Sequence, residues 1–175
     1  MPQLYFHYGA VGSAKTLHLL AVADTYTRQG KRVLLFKPKM DTRFGDRIQS
    51  RTGMYQPALL VEFPGDIARH ITPDIDCILF DEANFASVDV IEYLRELSLE
   101  IPVLAFGIRT DFLGNLFPGI KRLFELCDKV VEIKTTCKYC GKKATMNRKI
   151  ANRENTEIEL GCEELYIPTC YTHYN

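Results

Sequence analysis

Near its start the chain carries an eight-residue segment, residues 9–16, that reads GAVGSAKT. The segment matches the phosphate-binding pattern G-x-x-x-x-G-K-[ST] at every fixed position except Ala14, where the pattern has glycine. The apolar residues 4–8 predict a strand before it, and residues 15–29 predict a helix after it, ended by Gly30. A strand, a loop of small residues and a helix in this order are typical of an α/β protein with a parallel sheet.

The composition of this phosphate loop suits the binding of a nucleotide. Small residues allow backbone N–H groups to surround phosphate oxygens, and the helix N-terminus adds partial positive charge. Lys15 is expected to reach the β- and γ-phosphates, and the Thr16 hydroxyl to ligate Mg²⁺. Ala14 costs little if its φ is negative, and on the order of 1 kcal/mol if its φ is positive. The alternative is an ordinary strand–helix turn with an exposed lysine. The loop residues predicted to bind the nucleotide are Gly9, Ala10, Val11, Gly12, Ser13, Ala14, Lys15 and Thr16.

Two acidic residues, Asp81 and Glu82, directly follow a second apolar segment at residues 77–80. Ligands of α/β sheets bind beyond the carboxyl ends of the strands, so Asp81 is expected to face the Mg²⁺ held by Thr16. Glu82 points to the other side and is available to accept a proton from an attacking hydroxyl. Taken alone, such a pair is equally consistent with helix capping. Together with the phosphate loop, it favours phosphoryl transfer or hydrolysis of a nucleoside triphosphate.

Short apolar segments alternate with helical patterns over the first 133 residues. Further strands are predicted at residues 32–36, 103–106 and 129–133, and further helices at residues 88–99 and 116–126. This alternation indicates parallel pairing through right-handed crossovers. The predicted fold is therefore α/β: an open, mainly parallel sheet flanked by helices, as in P-loop NTPases.

The charge balance and the apolar segments exclude several classes of protein. Lys plus Arg and Asp plus Glu both number 22, which disfavours a dedicated nucleic-acid binder because such a protein usually carries a basic excess. The apolar segments are far shorter than the ~20 residues of a membrane-spanning helix. Residues 1–7 contain no pattern of a secretory signal. We therefore expect an intracellular, cytoplasmic protein with no membrane partner and no stable nucleic-acid partner.

Four of the six cysteines lie in the last 39 residues, where two pairs of metal-ligand spacing occur. Cys137-x-x-Cys140 and Cys170-x-x-His173 predict a closed, tetrahedral Cys₃His zinc site of structural type. An alternative places Cys162 in the ligand set. Basic residues of 138–153 and acidic residues of 154–164 predict two solvated faces of a hairpin with a tip near residues 151–155. The predicted domains are a nucleotide-binding domain at residues 1–134 and a zinc-binding ribbon at residues 135–175, which metal ligation would help to fold.

In this order, the motifs resemble those of the small, tetrameric, zinc-containing thymidine kinases, and bacterial members most closely. The resemblance covers nearly the whole chain. It rests on the phosphate loop, the segments KP at 37–38, DTRF at 41–44, DEANF at 81–85 and GIRTDF at 107–112, the Cys-x-x-Cys pair, and the ending Tyr166-x-x-x-Cys170-x-x-His173.

The resemblance implies an ATP:thymidine 5′-phosphotransferase with Mg²⁺ in the reaction and structural Zn²⁺ in a lid. Glu82 would be the base and Arg43 would stabilise the transferring phosphoryl group, while Asp41 would help to order the magnesium. The ribbon would close over the nucleoside as a lasso. Residues 81–84 would join the nucleotide site, through Asp81, Glu82, Ala83 and Asn84. The residues implied to line the nucleoside site are Phe85, Ile108, Phe112, Phe117, Met146 and Tyr166.

The same resemblance implies thymidine as the acceptor, with deoxyuridine as a second candidate, and a homotetramer. The chain departs from the family pattern at Ala14, at Val11 in place of methionine, at Asn84 in place of glutamine, and at residues 161–162 in place of a glycine pair. Two other functions stay open at this point. One is a catalytically weakened relative that binds nucleotides, which Ala14 favours. The other is a P-loop ATPase acting on nucleic acid, which the basic block at residues 138–153 favours.

Overall fold

The computed structural model describes residues 3–150 and 165–175. Its strands are β1 (Leu4–Tyr8), β2 (Val33–Pro38), β3 (Arg47–Gln49), β4 (Tyr55–Pro57), β5 (Leu59–Val61), β6 (Cys77–Phe80), β7 (Val103–Gly107), β8 (Lys129–Glu132), β9 (Met146–Lys149) and β10 (Tyr166–Thr169). Its α-helices are α1 (Lys15–Arg28), α2 (Pro64–Ala68), α3 (Val88–Leu97) and α4 (Pro118–Leu126). Short 3₁₀ turns follow β6 and β10.

Six of these strands form one sheet in the order β5-β2-β6-β7-β1-β8. Every neighbouring pair in this sheet is parallel. The central strand β6 is buried along its whole length, as its unbroken apolar sequence predicts for a strand covered on both faces. The carboxyl ends of β1, β2, β6 and β7 therefore meet at one edge, which is where a ligand binds in this class of sheet.

Helices cover both faces of the sheet, which confirms the predicted α/β fold. On one face α1 buries Leu19 and Leu20 against β2, β6 and β7. On the other face α3 and α4 bury Ile91 and Ile120 in the larger of two apolar clusters. α3 is capped at its start by Ser87, whose hydroxyl accepts a hydrogen bond from the N–H of Val90 at 3.3 Å.

The elements that the sequence did not predict are short. The edge strand β5, the β3–β4 hairpin and α2 have three to five residues each, too few to produce a period. The helix predicted from residue 116 begins instead at Pro118, because proline favours the first helical position and Phe117 stays extended. The predicted helix at residues 88–99 ends at Leu97.

After β8 the chain enters the C-terminal ribbon, in which β9 pairs with β10 in antiparallel fashion. The predicted hairpin tip near residues 151–155, residues 161–162 and the alternative ligand Cys162 lie outside the described residues. Within residues 3–150 and 165–175, no helix is long and apolar enough to cross a membrane.

Candidate active site

The phosphate loop between β1 and α1 folds tightly. A methyl group on Gly9 would lie 2.3 Å from the carbonyl oxygen of Ile133, so this position admits only glycine. Gly12 has a φ of +72°, in the left-handed region that favours glycine. The N–H of Ser13 donates to the carbonyl of Ala10 at 3.2 Å and closes the turn. The loop is therefore a tight turn of small residues, a shape that suits the binding of a phosphate group.

Ala14 has a φ of 62° and a ψ of 28°, which is the left-handed conformation. Of the two alternatives that the sequence leaves open, the costly one is therefore correct. An alanine in this region costs on the order of 1–2 kcal/mol relative to its ordinary conformation. The carbonyl of Ala14 nevertheless accepts the hydrogen bond from His18 N at 3.0 Å, so α1 starts without a break.

Lys15 and Thr16 lie on the first turn of α1. The ammonium of Lys15 donates to the carbonyls of Gly9 and Ala10 at 3.1 and 2.8 Å, and so it folds back over the loop. The hydroxyl of Thr16 donates to a carboxylate oxygen of Asp81 at 3.0 Å. The structure thus brings together the two predicted magnesium ligands from α1 and the end of β6.

Asp81 is buried, and this burial raises the pKa of its carboxyl well above the ordinary range. Repulsion from Glu82 is a second, smaller cause of the same shift. A buried carboxylate beside a hydroxyl oxygen is a donor set of the kind that Mg²⁺ prefers. A divalent cation here would supply the positive charge that the buried carboxylate lacks. The residues present therefore fit the predicted metal.

Glu82 lies next to Asp81 in a left-handed conformation with a φ of 52°. Its carboxylate accepts a hydrogen bond from Nη2 of Arg43 at 2.6 Å. Arg43 also donates from Nε to Asp41 at 2.9 Å. Burial alone would lower the pKa of the Arg43 guanidinium, but Glu82 and Asp41 outweigh it and raise that pKa. The predicted base and the predicted arginine thus form an ion pair at the carboxyl end of β6.

Four of the six residues predicted to line the nucleoside site form two aromatic pairs. Phe85 and Phe117 pack edge to face with ring centroids 5.8 Å apart. Phe112 packs at 6.1 Å on Tyr166, which comes from β10 of the ribbon. Met146 is buried at the start of β9, beside Gly114. The second pair and Met146 bring the ribbon into contact with the loop after β7.

Ala83, Asn84 and Ile108 lie at the same edge of the sheet, after the ends of β6 and β7. Ala83 and Asn84 are both buried. The side-chain oxygen of Asn84 accepts a hydrogen bond from the N–H of Ile108 at 3.2 Å, which ties the turn after β6 to the end of β7.

A groove of about 440 Å³ lies at the carboxyl ends of β2, β5 and β6. Met40, Val61 and Phe85 line it, together with Lys39 and Glu62 at its rim. It shares Phe85 with the aromatic residues above, but it includes neither Lys15 nor Asp81. The residues predicted to bind phosphate and magnesium therefore do not line this groove.

The four predicted zinc ligands come together at the base of the ribbon. Their ligand atoms all lie within 4.8 Å of one another. The Nδ1 atom of His173 is 3.4 Å from Sγ of Cys137 and 3.3 Å from Sγ of Cys170, and Sγ of Cys140 is 3.8 Å from Sγ of Cys170. A tetrahedron with Zn–S bonds of about 2.3 Å and a Zn–N bond of about 2.0 Å has edges of roughly 3.5–3.8 Å.

One thiol of this cluster is already poised to ligate a metal. Burial raises the pKa of the Cys137 thiol, but hydrogen bonds to the backbone of Cys170 and Tyr139 and to the His173 side chain lower it more, to about 6. Because the thiolate is the form that binds metal, this cluster suits a closed, structural zinc site.

Comparison with known proteins identifies the family. A family model described as thymidine kinase matches residues 2–174. The chain belongs to the thymidine kinase family. A thymidine kinase of Streptococcus pyogenes is 42% identical over 184 residues, covering 99% of this chain and 97% of that relative. A thymidine kinase of Streptococcus agalactiae is also 42% identical, over 185 residues and with the same coverage. The resemblance inferred from the motifs is confirmed.

A solved structure of a DNA replication initiation factor is also similar to the chain. It has a TM-score of 0.43 and 17% identity, and the match covers 75% of this chain and 40% of that one.

In this member of the thymidine kinase family, Lys37 was not predicted to belong to the site. Its ammonium is buried, 3.5 Å from a carboxylate oxygen of Asp41. It also donates to the carbonyls of Arg43 and Arg47, at 2.8 and 3.3 Å. Lys37 therefore fixes the backbone that carries Arg43. The sequence places Lys37 at the end of an apolar strand, and this pattern is too common to predict a site residue by itself.

Asn147, on β9, is the second residue that sequence reasoning missed. It is buried, and its side-chain oxygen accepts the N–H of Val11 at 2.8 Å. Its amide nitrogen donates to the carbonyl of Thr110 at 3.0 Å. One side chain of the zinc ribbon thus joins the phosphate loop to the loop after β7, a contact between distant segments that local sequence cannot reveal.

Proposed function

We propose that this chain transfers the γ-phosphate of ATP to the 5′-hydroxyl of thymidine, giving dTMP and ADP. The observation that carries the proposal is the cluster at the carboxyl end of β6, where the Arg43–Glu82 ion pair adjoins the Thr16–Asp81 pair of the phosphate loop. The thymidine kinases of the two streptococci, at 42% identity over nearly full length, support thymidine as the acceptor.

On the donor side, the backbone of residues 9–16 surrounds the β- and γ-phosphates of ATP. The ammonium of Lys15 exchanges its carbonyl partners in the loop for phosphate oxygens. Thr16 and Asp81 would hold Mg²⁺, and Asp41 would help to order it. When bound with ATP, Mg²⁺ neutralises charge on the phosphates.

On the acceptor side, Glu82 takes the proton of the 5′-hydroxyl as the sugar oxygen bonds to the γ-phosphorus. The bond from that phosphorus to the β–γ bridging oxygen breaks, and ADP carries away the electron pair. Arg43 stabilises the charge on the transferring group. Arg43 pairs with Glu82 through Oε1 at 2.6 Å, which leaves Oε2 of the carboxylate to accept the proton.

The nucleoside binds where the ribbon approaches the sheet edge. Phe85, Phe117 and Ile108 contribute from the sheet side, and Met146, Phe112 and Tyr166 from the ribbon side and the loop it contacts. The Cys₃His cluster would hold Zn²⁺ and would keep the base of the ribbon folded. Exclusion of water by the closed ribbon favours transfer to the nucleoside over hydrolysis of ATP.

The test measures transfer of labelled γ-phosphate from ATP to thymidine. Glu82→Gln should keep nucleotide binding and lower turnover by ~10²-fold or more, because the amide cannot accept the proton. Glu92→Gln is the matched control, since Glu92 forms a comparable ion pair with Arg122 at 2.9 Å between α3 and α4, away from the site. Full turnover in Glu82→Gln would refute the base assignment, and no labelled product from the unaltered protein would refute the function.

The proposal extends to deoxyuridine as a second acceptor and to a homotetramer, both of which the family resemblance suggests. A catalytically weakened relative is the second candidate function, because Ala14 adopts the left-handed conformation at the position where the loop pattern has glycine. The same transfer assay separates the two: a weakened relative binds ATP without producing dTMP.

A further inference from the structure

We infer that Arg51 is a phosphate-donor binding residue, whose guanidinium contacts the triphosphate of ATP at the rim of the phosphate loop. The inference deepens the proposed function and rests on it. Its basis is the position of Arg51 beside Gly12. A methyl group on Gly12 would lie 3.4 Å from Nη1, 3.6 Å from Nη2 and 3.8 Å from Cζ of Arg51. The guanidinium would therefore be in van der Waals contact with a side chain at Gly12, which places it beside the phosphate loop.

The β3–β4 hairpin holds Arg51 in this position. Arg51 lies in the turn that joins the two strands, and Gly53 completes that turn with a φ of +88° and an N–H that donates to the carbonyl of Ser50 at 3.0 Å. Ser50 is buried, and its hydroxyl lies 2.8 Å from that of Thr52. The backbone on either side of Arg51 is therefore fixed by hydrogen bonds, unlike that of an ordinary exposed loop.

The hairpin itself is anchored to the core. Ile48 of β3 is buried in the same apolar cluster as Leu19 and Leu20 of α1, the helix that starts at the phosphate loop. The buried ammonium of Lys37 donates to the carbonyl of Arg47 at the start of the hairpin. The core packing of Ile48 and the hydrogen bond from Lys37 thus hold the backbone of the hairpin, and with it that of Arg51, beside the phosphate loop.

The charge of the site favours a role for a second cation. Arg43 lies beside the carboxylates of Asp41 and Glu82, and Asp81 adds a further carboxylate beside the loop. A triphosphate entering this acidic surrounding needs positive charge beyond that of Lys15. Arginine suits the position, because its planar fork of N–H donors matches the oxygens of a phosphate group and binds two of them at once.

The experiment measures ATP and inorganic tripolyphosphate binding to the zinc-loaded, full-length protein, with steady-state kinetics alongside. Arg51→Ala should raise the KM for ATP by ~10- to 100-fold and weaken tripolyphosphate binding to a similar extent, because a hydrogen-bonded charge is lost. The KM for thymidine should stay unchanged. Arg51→Lys should recover part of the loss, since it keeps the charge without the fork.

The matched control is Arg47→Ala in the same hairpin, where the guanidinium lies over the ring of Tyr55 at 5.1 Å instead of over the loop. It should bind ATP as the unaltered protein does. Unchanged ATP and tripolyphosphate binding in Arg51→Ala would overturn the inference, as would equal losses in both alanine variants. Weaker ATP binding in Arg51→Ala without any dTMP from the unaltered protein would support the inference while refuting thymidine as the acceptor.

Discussion

Ala14 offers a direct test of the backbone geometry of the phosphate loop. Its φ of 62° costs an alanine about 1–2 kcal/mol, a penalty that glycine does not carry because it lacks Cβ. Glycine in turn loses more backbone entropy on folding, by roughly 0.5–1 kcal/mol. Ala14→Gly should therefore stabilise the fold by about 0.5–1 kcal/mol. For a chain of this size the melting temperature should rise by roughly 1–4 °C.

The assay is thermal unfolding of the zinc-loaded protein, with Ala21→Gly as the control. Ala21 lies exposed in the middle of α1. The same chemical change there should destabilise the fold by about 1 kcal/mol, because glycine weakens a helix interior. The two variants should thus shift the melting temperature in opposite directions. A melting temperature for Ala14→Gly equal to or below that of the unaltered protein, with Ala21→Gly behaving as expected, would show that Ala14 is not strained.

Two further predictions concern pH and the metal. Burial, followed by the charges of His18 and Lys129, lowers the pKa of His7 from 6.5 to about 4. Since the folded state resists protonation of His7, the contribution of His7 to the free energy of unfolding should fall by about 3 kcal/mol as the pH drops from 6.5 to 4, while the raised pKa of Asp81 acts in the opposite direction. Denaturant titrations should show the His7 contribution as the difference in pH dependence between the unaltered protein and His7→Phe. Removal of zinc by a chelator should unfold the ribbon and weaken ATP binding as well, because Asn147 then no longer holds the N–H of Val11. Unchanged ATP affinity in the metal-free protein would contradict that link.

The parts of the fold that sequence predicts are those with long or unbroken patterns. β1 and β6 were located at their observed ends because apolar and aromatic residues predominate along them, and α1 was located within one residue because Gly30 ends its helical pattern. The edge strand β5 and the β3–β4 hairpin were missed because three residues give no period. Their pairing is decided by tertiary contacts, such as Ile48 in the core and the ammonium of Lys37, that no local window contains.

The candidate site divides in the same way. Lys15, Thr16, Asp81 and the four metal-cluster residues were found because each lies in a motif whose spacing reflects one local geometry. The role of Arg43 was predicted from the family resemblance alone, and its ion pair with Glu82, 39 positions away, was not predicted. Sequence could not settle the conformation of Ala14 either, since the pattern states which residue is usual and leaves the backbone angle of the exception open.

Asn147 ties the ribbon to the phosphate loop as well as to the loop after β7. Its buried amide satisfies the N–H of Val11 and the carbonyl of Thr110 together, and leaving either group buried without a partner costs about 1–3 kcal/mol. A ribbon that moves away from the sheet must therefore release the phosphate loop at the same time. In the proposed reaction, the nucleoside binds under the ribbon and ATP binds in the loop, and the hydrogen bonds of Asn147 connect these two sites. A ligand that favours the closed ribbon at one site should therefore strengthen binding at the other.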